Sequence, residues 1–213
     1  LKVLAETLTN TYQVKVDIKV FDVQNRTDVF RALSNDSSLN DLDVLVNNAG
    51  LALGRDYFDE ANLDDWETMI DTNLKGLLYV SKAILPYFIK SGKGHIINIG
   101  STAGKEVYEK GNVYCATKTS VEAISQAMRI DMLRHHIKVT ALHPGAAETE
   151  FSIVRFKGDE KTAKTVYDGY QPLKAEDVAD TAFYCANLPE HVCINSLVMT
   201  CTSQANSFYL LRK

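Results

Sequence analysis

The sequence predicts an α/β fold in a single domain: a doubly wound parallel sheet with helices on both faces. Three observations carry that prediction. Short apolar runs alternate along the chain with longer segments of helical period. No composition break, Pro/Gly/Ser linker or internal repeat interrupts them. Small, polar or glycine residues follow the runs at their carboxyl ends. Such alternation is built from right-handed crossovers, and the ligand crevice of such sheets lies at the carboxyl ends of the strands.

Element by element, Leu1, Leu4, Ala5 and Leu8 recur at helical spacing, so the first ten residues read as the end of an amphipathic helix. VKVDIKVFDV then alternates, with Val14, Val16, Ile18 and Val20 on one face and Lys15, Asp17 and Lys19 on the other, which predicts a strand over Val14–Phe21. A helix over 25–34 ends in the Ser/Asn/Asp-rich loop 34–41. DVLVNNAG (43–50) is a near-continuous apolar run entering a turn, the pattern of a buried parallel strand. A long helical stretch over 64–90 is divided near Asn73 and interrupted at Pro86. GHIINIGS (94–101) is a second buried strand, a helix covers 112–135, and IKVTALHPG (137–145) is a third. The polar segment 146–174 reads as a loop with one or two short helices. A helix over 175–187 and a last strand, CINSLVMTC (193–201), complete the pattern.

Composition narrows the function. A chain of 213 residues with 46% hydrophobic and 23% charged residues buries a sizeable core. The net charge of −4 argues against nucleic-acid phosphate as the main partner. No uncharged apolar run reaches the ~18 residues of a membrane span, and the start has no signal-peptide pattern. The four cysteines show neither CxxC nor a His-paired zinc spacing, so no metal site is expected and a reduced, cytoplasmic protein is the default.

The strand ends gather Asp22-Val23, Asn47-Asn48-Ala49-Gly50, Ser101 and His143-Pro144-Gly145 towards one crevice. Thirteen residues after Ser101 comes Tyr114, and then Lys118, in YCATK. Tyr114 and Lys118 are four apart on a helix and share a face. A free tyrosine, with a pKa near ~10, is a poor base at neutral pH, and an ammonium beside it favours the phenolate. Ser101 can donate a hydrogen bond to a substrate oxygen. The three suit proton transfer at an alcohol oxygen while hydride moves at the adjacent carbon. An isolated YxxxK is common by chance; its place after a strand-end serine and a strand ending NNAG gives it weight.

In their order and spacing, NNAG (47–50), DTNLKG (71–76), NIGSTAG (98–104), YCATK (114–118) and HPGAAETEF (143–151) resemble the short-chain dehydrogenase/reductase family across the whole chain. The resemblance implies a Rossmann-like fold and an NAD(P)-dependent enzyme. It gives Tyr114 the role of general acid/base, and Lys118 that of depressing its pKa and bonding the nicotinamide ribose. Ser101 orients the substrate carbonyl. Asn73 holds a proton-relay water or satisfies a helix irregularity, or both. Asn48, Ala49 and Gly50 face the ribose and adenosine side of the cofactor, or supply a turn needing small residues. Asp22 and Val23 flank the adenine, with a simple turn as the other reading of Asp22. Pro144, Gly145 and Thr149 meet the nicotinamide amide and phosphates. A homotetramer with its interface on helices 64–90 and 112–135 is also implied.

HPGAAETEFSIVRFKGDE, KTVYDGY and EDVADTAFYCANLPEHVCINSLVM are similar to the branch that oxidises 3-hydroxy acids, serine and L-allo-threonine with NADP. A carboxylate substrate needs a cation, and the fork of Arg155 suits it, with Lys157 and Lys105 as rivals and a solvated or ion-paired loop charge as the other reading. Reduction of other ketones or aldehydes, and dinucleotide binding without turnover, are the alternatives. The family's TGxxxGxG phosphate motif does not occur. The five strands resemble the family's third to seventh, so a βαβ unit of ~30–45 residues is expected upstream. The chain is therefore expected to be an N-terminally incomplete record of a protein of about 250 residues. The residues that choose NADP over NAD would lie in that unit, so NAD is not excluded.

Overall fold

The computed structural model describes residues 1–213. Four parallel strands form the sheet: β1 (Val44–Asn47), β2 (Gly94–Ile99), β3 (Ile137–Pro144) and β6 (Ser196–Met199), side by side in that order. The register sets Asn47 beside Asn98, and Leu142 beside Leu197. The crossovers are helical. α1 (Lys2–Tyr12) and α2 (Arg26–Leu33) precede the sheet, and α3 (Leu63–Ile70) and α4 (Leu77–Ser91) lie between β1 and β2. α5 (Asn112–Met132) joins β2 to β3. Between β3 and β6 come β4 (Ala147–Glu148), α6 (Phe151–Arg155), α7 (Glu160–Thr165), β5 (Leu173–Lys174) and α8 (Ala175–Ala186).

Local chemistry explains the boundaries. The side chain of Asn25 accepts from the backbone N–H groups of Thr27 and Asp28 and so starts α2, and Asn62 does the same for Asp64 at α3. Gly92, with φ of 68°, ends α4 in the left-handed conformation that a glycine adopts without strain.

Three sequence expectations need correcting. Residues 14–21 do not form a strand: they pair with nothing, and Val14, Ile18 and Val20 are exposed. The alternating pattern is present, but a strand is a pairing and no neighbour supplies hydrogen bonds. Lys19 is ion-paired with Asp36, and Phe21 packs on the core. Pro86 does not interrupt its helix, since α4 runs through it to Ser91; packing outweighs the one backbone bond that a proline cannot make. Segment 146–174 holds two short helices, as expected, and also the small parallel sheet β4–β5, which two-residue strands could not announce.

The main core joins Val29 and Leu33 of α2 and Ala83, Ile84, Tyr87 and Phe88 of α4 to Ile96, Ile137 and Val139 of the sheet. A polar ladder crosses the sheet beside it. Asn47 donates to Ser81 of α4 and to Asn98 of β2, and Asn98 donates to Ser125 of α5. All four side chains are buried, so each bond avoids the cost of an unpaired polar group. A second cluster, Ala52, Met69, Ala103, Tyr114 and Cys115, lies at the carboxyl ends of the strands. No helix is long and apolar enough to cross a membrane.

Candidate active site

The chain between α3 and α4 is the irregular element on which the site is built. Residues 71–76 form a π-helical turn, wider than an α-helical one. Asn73, only 2% exposed, lies in it. Its Nδ2 donates to the Leu51 carbonyl at 2.8 Å and to Thr117 Oγ1 at 3.1 Å, while its Oδ1 accepts from Leu51 N–H at 2.8 Å. Asn73 thus ties the loop leaving β1 to α5. Its polar atoms satisfy that loop rather than the irregular helix itself.

α5 carries Tyr114 and Lys118 one turn apart, 7% and 6% exposed. Lys118 Nζ donates to the Ile99 carbonyl at 2.9 Å, at the end of β2. Gly50 closes the other side: a Cβ there would stand 3.2 Å from Asn73 Oδ1 and 3.3 Å from Lys118 Nζ. Ser101, just past β2, has extended backbone, and its Oγ accepts from Ala103 N–H at 3.1 Å. The Tyr114 ring packs against Phe151 of α6, with ring centroids 5.6 Å apart.

Electrostatics departs from the sequence reading. Burial pushes the Lys118 ammonium down to about 8. Burial also pushes the Tyr114 phenol above its ordinary value, with neighbouring Tyr108 adding to the rise and a hydrogen bond with Ser101 and the Arg155 guanidinium opposing it. The expected lowering of Tyr114 by Lys118 is therefore not realised in this state. The ammonium is engaged with the Ile99 carbonyl, and desolvation of the phenolate dominates.

Arg155, at the end of α6, is brought to the same place. Its guanidinium carbon is 5.7 Å from the centroid of the Tyr114 ring and 5.8 Å from that of Tyr108. It donates through Nε to the Gly54 carbonyl at 3.2 Å and through one terminal nitrogen to the Tyr108 hydroxyl at 3.0 Å. Both acceptors are neutral, and no carboxylate lies within salt-bridge distance. The rivals are neutralised: Lys157 pairs with Asp65 at 2.8 Å and Lys105 with Glu122 at 3.1 Å. Tyr108, which orients Arg155, was not anticipated, since KEVYEK carries no periodic or motif signal.

The remaining site residues line the carboxyl edge of the sheet. Asn48, Ala49 and Gly50 are exposed beyond β1. Asp22 Oδ1 accepts from Gln24 N–H at 2.9 Å, the geometry of a turn, and Val23 lies against Gly76, where a Cβ would be 2.9 Å from its Cγ2. Pro144 ends β3. Gly145 donates its N–H to the Met199 carbonyl at 2.8 Å, with Gln204 in the place a Cβ would take. Thr149 is exposed, its Oγ1 accepting from Phe151 N–H at 3.2 Å.

Tyr114 and Lys118 on α5 and Ser101 just past β2 thus gather a phenol, an ammonium and a hydroxyl at the carboxyl ends of the strands. Comparison with known proteins defines the class of protein that carries this set. The sequence profile of the short chain dehydrogenases matches residues 1–160. The chain is 46% identical over 186 residues to the NADP-dependent 3-hydroxy acid dehydrogenase YdfG of Salmonella typhi, a match covering 86% of this chain and 75% of that protein. It is 41% identical to sulfoacetaldehyde reductase 2 of Chromohalobacter salexigens, over 97% of this chain and 82% of that protein. Among solved structures, the closed form of a serine dehydrogenase complexed with NADP+ superposes with a TM-score of 0.90 at 42% identity, over 98% of this chain and 85% of that one. This chain belongs to the short-chain dehydrogenase family of oxidoreductases.

Proposed function

We propose that this enzyme oxidises the 3-hydroxyl of small 3-hydroxy acids (serine, L-allo-threonine or 3-hydroxypropionate) with NADP. The observation that carries this reading is the unneutralised Arg155 guanidinium beside the Tyr114 ring. A cation held by two neutral oxygens within reach of the proton-transfer group matches a substrate with an anion one or two carbons from its hydroxyl. The names of the 3-hydroxy acid dehydrogenase and the sulfoacetaldehyde reductase above both point to small anionic substrates, a carboxylate with a hydroxyl and a sulfonate with an aldehyde.

In this reading Arg155 takes the substrate carboxylate and Ser101 donates a hydrogen bond to the reacting oxygen. Tyr114 removes the hydroxyl proton in oxidation and returns it in reduction. NADP, when bound, supplies the hydride acceptor. Asp22 and Val23 would flank its adenine. Asn48, Ala49 and Gly50 would meet the ribose on the adenosine side, and Lys118 the nicotinamide ribose. Pro144, Gly145 and Thr149 would meet the nicotinamide amide and phosphates. The exposed run Asn48–Gly50, at the carboxyl end of a parallel strand, fits such a group. Asn73 fixes the loop at Leu51 and orders the relay of protons to solvent. One domain, assembled as a homotetramer through α3–α4 and α5, is part of the proposal.

The test is a substrate panel with NADP, following NADPH formation. Turnover of 3-hydroxy acids, with aminoacetone accumulating from L-allo-threonine as its β-keto acid product loses carbon dioxide, is expected. No NADPH from any 3-hydroxy acid would overturn the assignment. The 41% identity to sulfoacetaldehyde reductase 2 favours a second reading, reduction of an anionic aldehyde, in which Arg155 holds a sulfonate. Running the panel in both directions separates the two.

A further inference from the structure

At the end of β3 the His143 side chain, fully buried, lies directly against Gly100 and Ser101. A Cβ at Gly100 would stand 2.4 Å from His143 Nδ1, so the ring lies this close only because residue 100 has no side chain. Nδ1 is 3.3 Å from the Ser101 backbone nitrogen and 3.2 Å from the Ser101 carbonyl oxygen. On the other side of the ring, Nε2 is 2.6 Å from Glu122 Oε2. That oxygen also faces Lys105 Nζ at 3.1 Å, while Gln126 donates to Oε1 at 2.8 Å.

These contacts fix the proton. A carboxylate only accepts, so Nε2 carries the hydrogen and donates to Glu122; in a neutral imidazole Nδ1 is then bare and accepts the Ser101 N–H. The charged groups facing the ring are Glu122 from α5 and Lys105 from the loop after Ser101, while β6 contributes only the Ser196 hydroxyl. Burial, reinforced by the Lys105 charge, outweighs Glu122 and lowers the imidazole from its ordinary value, so the ring is neutral at pH 7. Tyr114, Lys118 and Glu122 are successive fourth residues of α5. One helix face therefore presents the phenol, the ammonium and the carboxylate that orients His143.

We propose that His143, oriented by Glu122, is a positioning residue that holds the Ser101 backbone N–H and so keeps the Ser101 hydroxyl aimed at the reacting oxygen beside Tyr114. This rests on the reading of Ser101 given above. Protonation of His143 would turn Nδ1 from acceptor to donor, release the Ser101 N–H and swing the contact to the Ser101 carbonyl.

Asn and Gln separate the two ends of the ring, because an Asn oxygen can take the place of Nδ1 and a Gln nitrogen that of Nε2. H143L and H143Q are expected to lower kcat by about 10- to 100-fold with KM for NADP unchanged, the scale set by one lost buried bond. H143N is expected to recover most of that loss. In wild-type protein, imidazole 15N shifts are expected to show Nε2 protonated and Nδ1 bare, a measurement that does not depend on a variant folding. An Nδ1 that carries the proton, or an H143N as slow as H143L, would overturn the proposal. If S101A slows turnover while H143L and H143Q do not, His143 has no positioning role and the reading of Ser101 stands. If S101A leaves turnover intact, the reading of Ser101 fails, and this proposal with it.

Discussion

The Arg155 guanidinium carbon sits 5.7 Å from the centroid of the Tyr114 ring, so the end of α6 brings a cation over the phenol from a residue 41 positions further along the chain. The Tyr108 hydroxyl and the Gly54 carbonyl hold it there, and neither cancels its charge.

Replacing Arg155 with Met should raise KM for a 3-hydroxy acid about 10- to 100-fold, the scale of a lost charge-assisted hydrogen bond. R155K, a point charge without the fork, should fall in between. K157M and K105M should leave that KM near the wild-type value, since both ammoniums are already paired. Steady-state kinetics with serine or 3-hydroxypropionate checks this, and an unchanged KM in R155M removes the clamp.

Tyr114→Phe should cut kcat by about 10²- to 10⁴-fold, the usual contribution of a positioned acid/base. NADP binding, followed by fluorescence titration, should persist. Because burial raises the phenol, the wild-type enzyme should oxidise alcohols faster as pH rises into the alkaline range, where more Tyr114 is ionised. Reduction needs the protonated form and should not gain in the same way. A Y114F enzyme that turns over normally would remove Tyr114 from the acid/base role, whereas NADP binding with no turnover even in the wild-type protein would point to a non-catalytic dinucleotide-binding protein.

Asn73→Ala should destabilise the fold by about 1–3 kcal/mol, because the Leu51 N–H and carbonyl, both part-buried, lose their partner. It should lower kcat as well, since the loop it holds lies beside Lys118. Urea unfolding and steady-state assays read the two effects separately.

His95, buried in β2, bonds Thr140 Oγ1 at 2.7 Å, and burial pushes its imidazole down to about 4. Unfolded, it takes up a proton near 6.5. Between those values the unfolded chain binds more protons than the folded one, so stability falls as pH drops from about 6.5 to about 4. The loss should reach about 2–3 kcal/mol. H95L should flatten this part of the curve of Tm against pH. An identical slope in the variant would exclude His95 as a source.

The parts legible in the sequence were those fixed by local pattern. Apolar runs at 43–50, 94–101 and 137–145 became the three adjacent strands β1, β2 and β3, and the motif residues Asn73, Ser101, Tyr114 and Lys118 converge. What escaped depends on partners distant in sequence. Val14–Phe21 has a strand's alternation without a strand's neighbour. Tyr108 matters only because α6 delivers Arg155 to it. The direction of the Tyr114 shift was misjudged because spacing gives proximity on a helix, whereas burial is a property of everything packed around it.

The π turn at 71–76 has a consequence for how this chain can vary. An α-helix advances about 100° per residue, so one residue fewer in that turn would rotate all of α4. Ile84 and Phe88 would leave the core and Ser81 would lose Asn47, although none of them had been touched. The turn works as a reading frame for the helix after it: this stretch should tolerate exchanges of residue type far better than any change in their number.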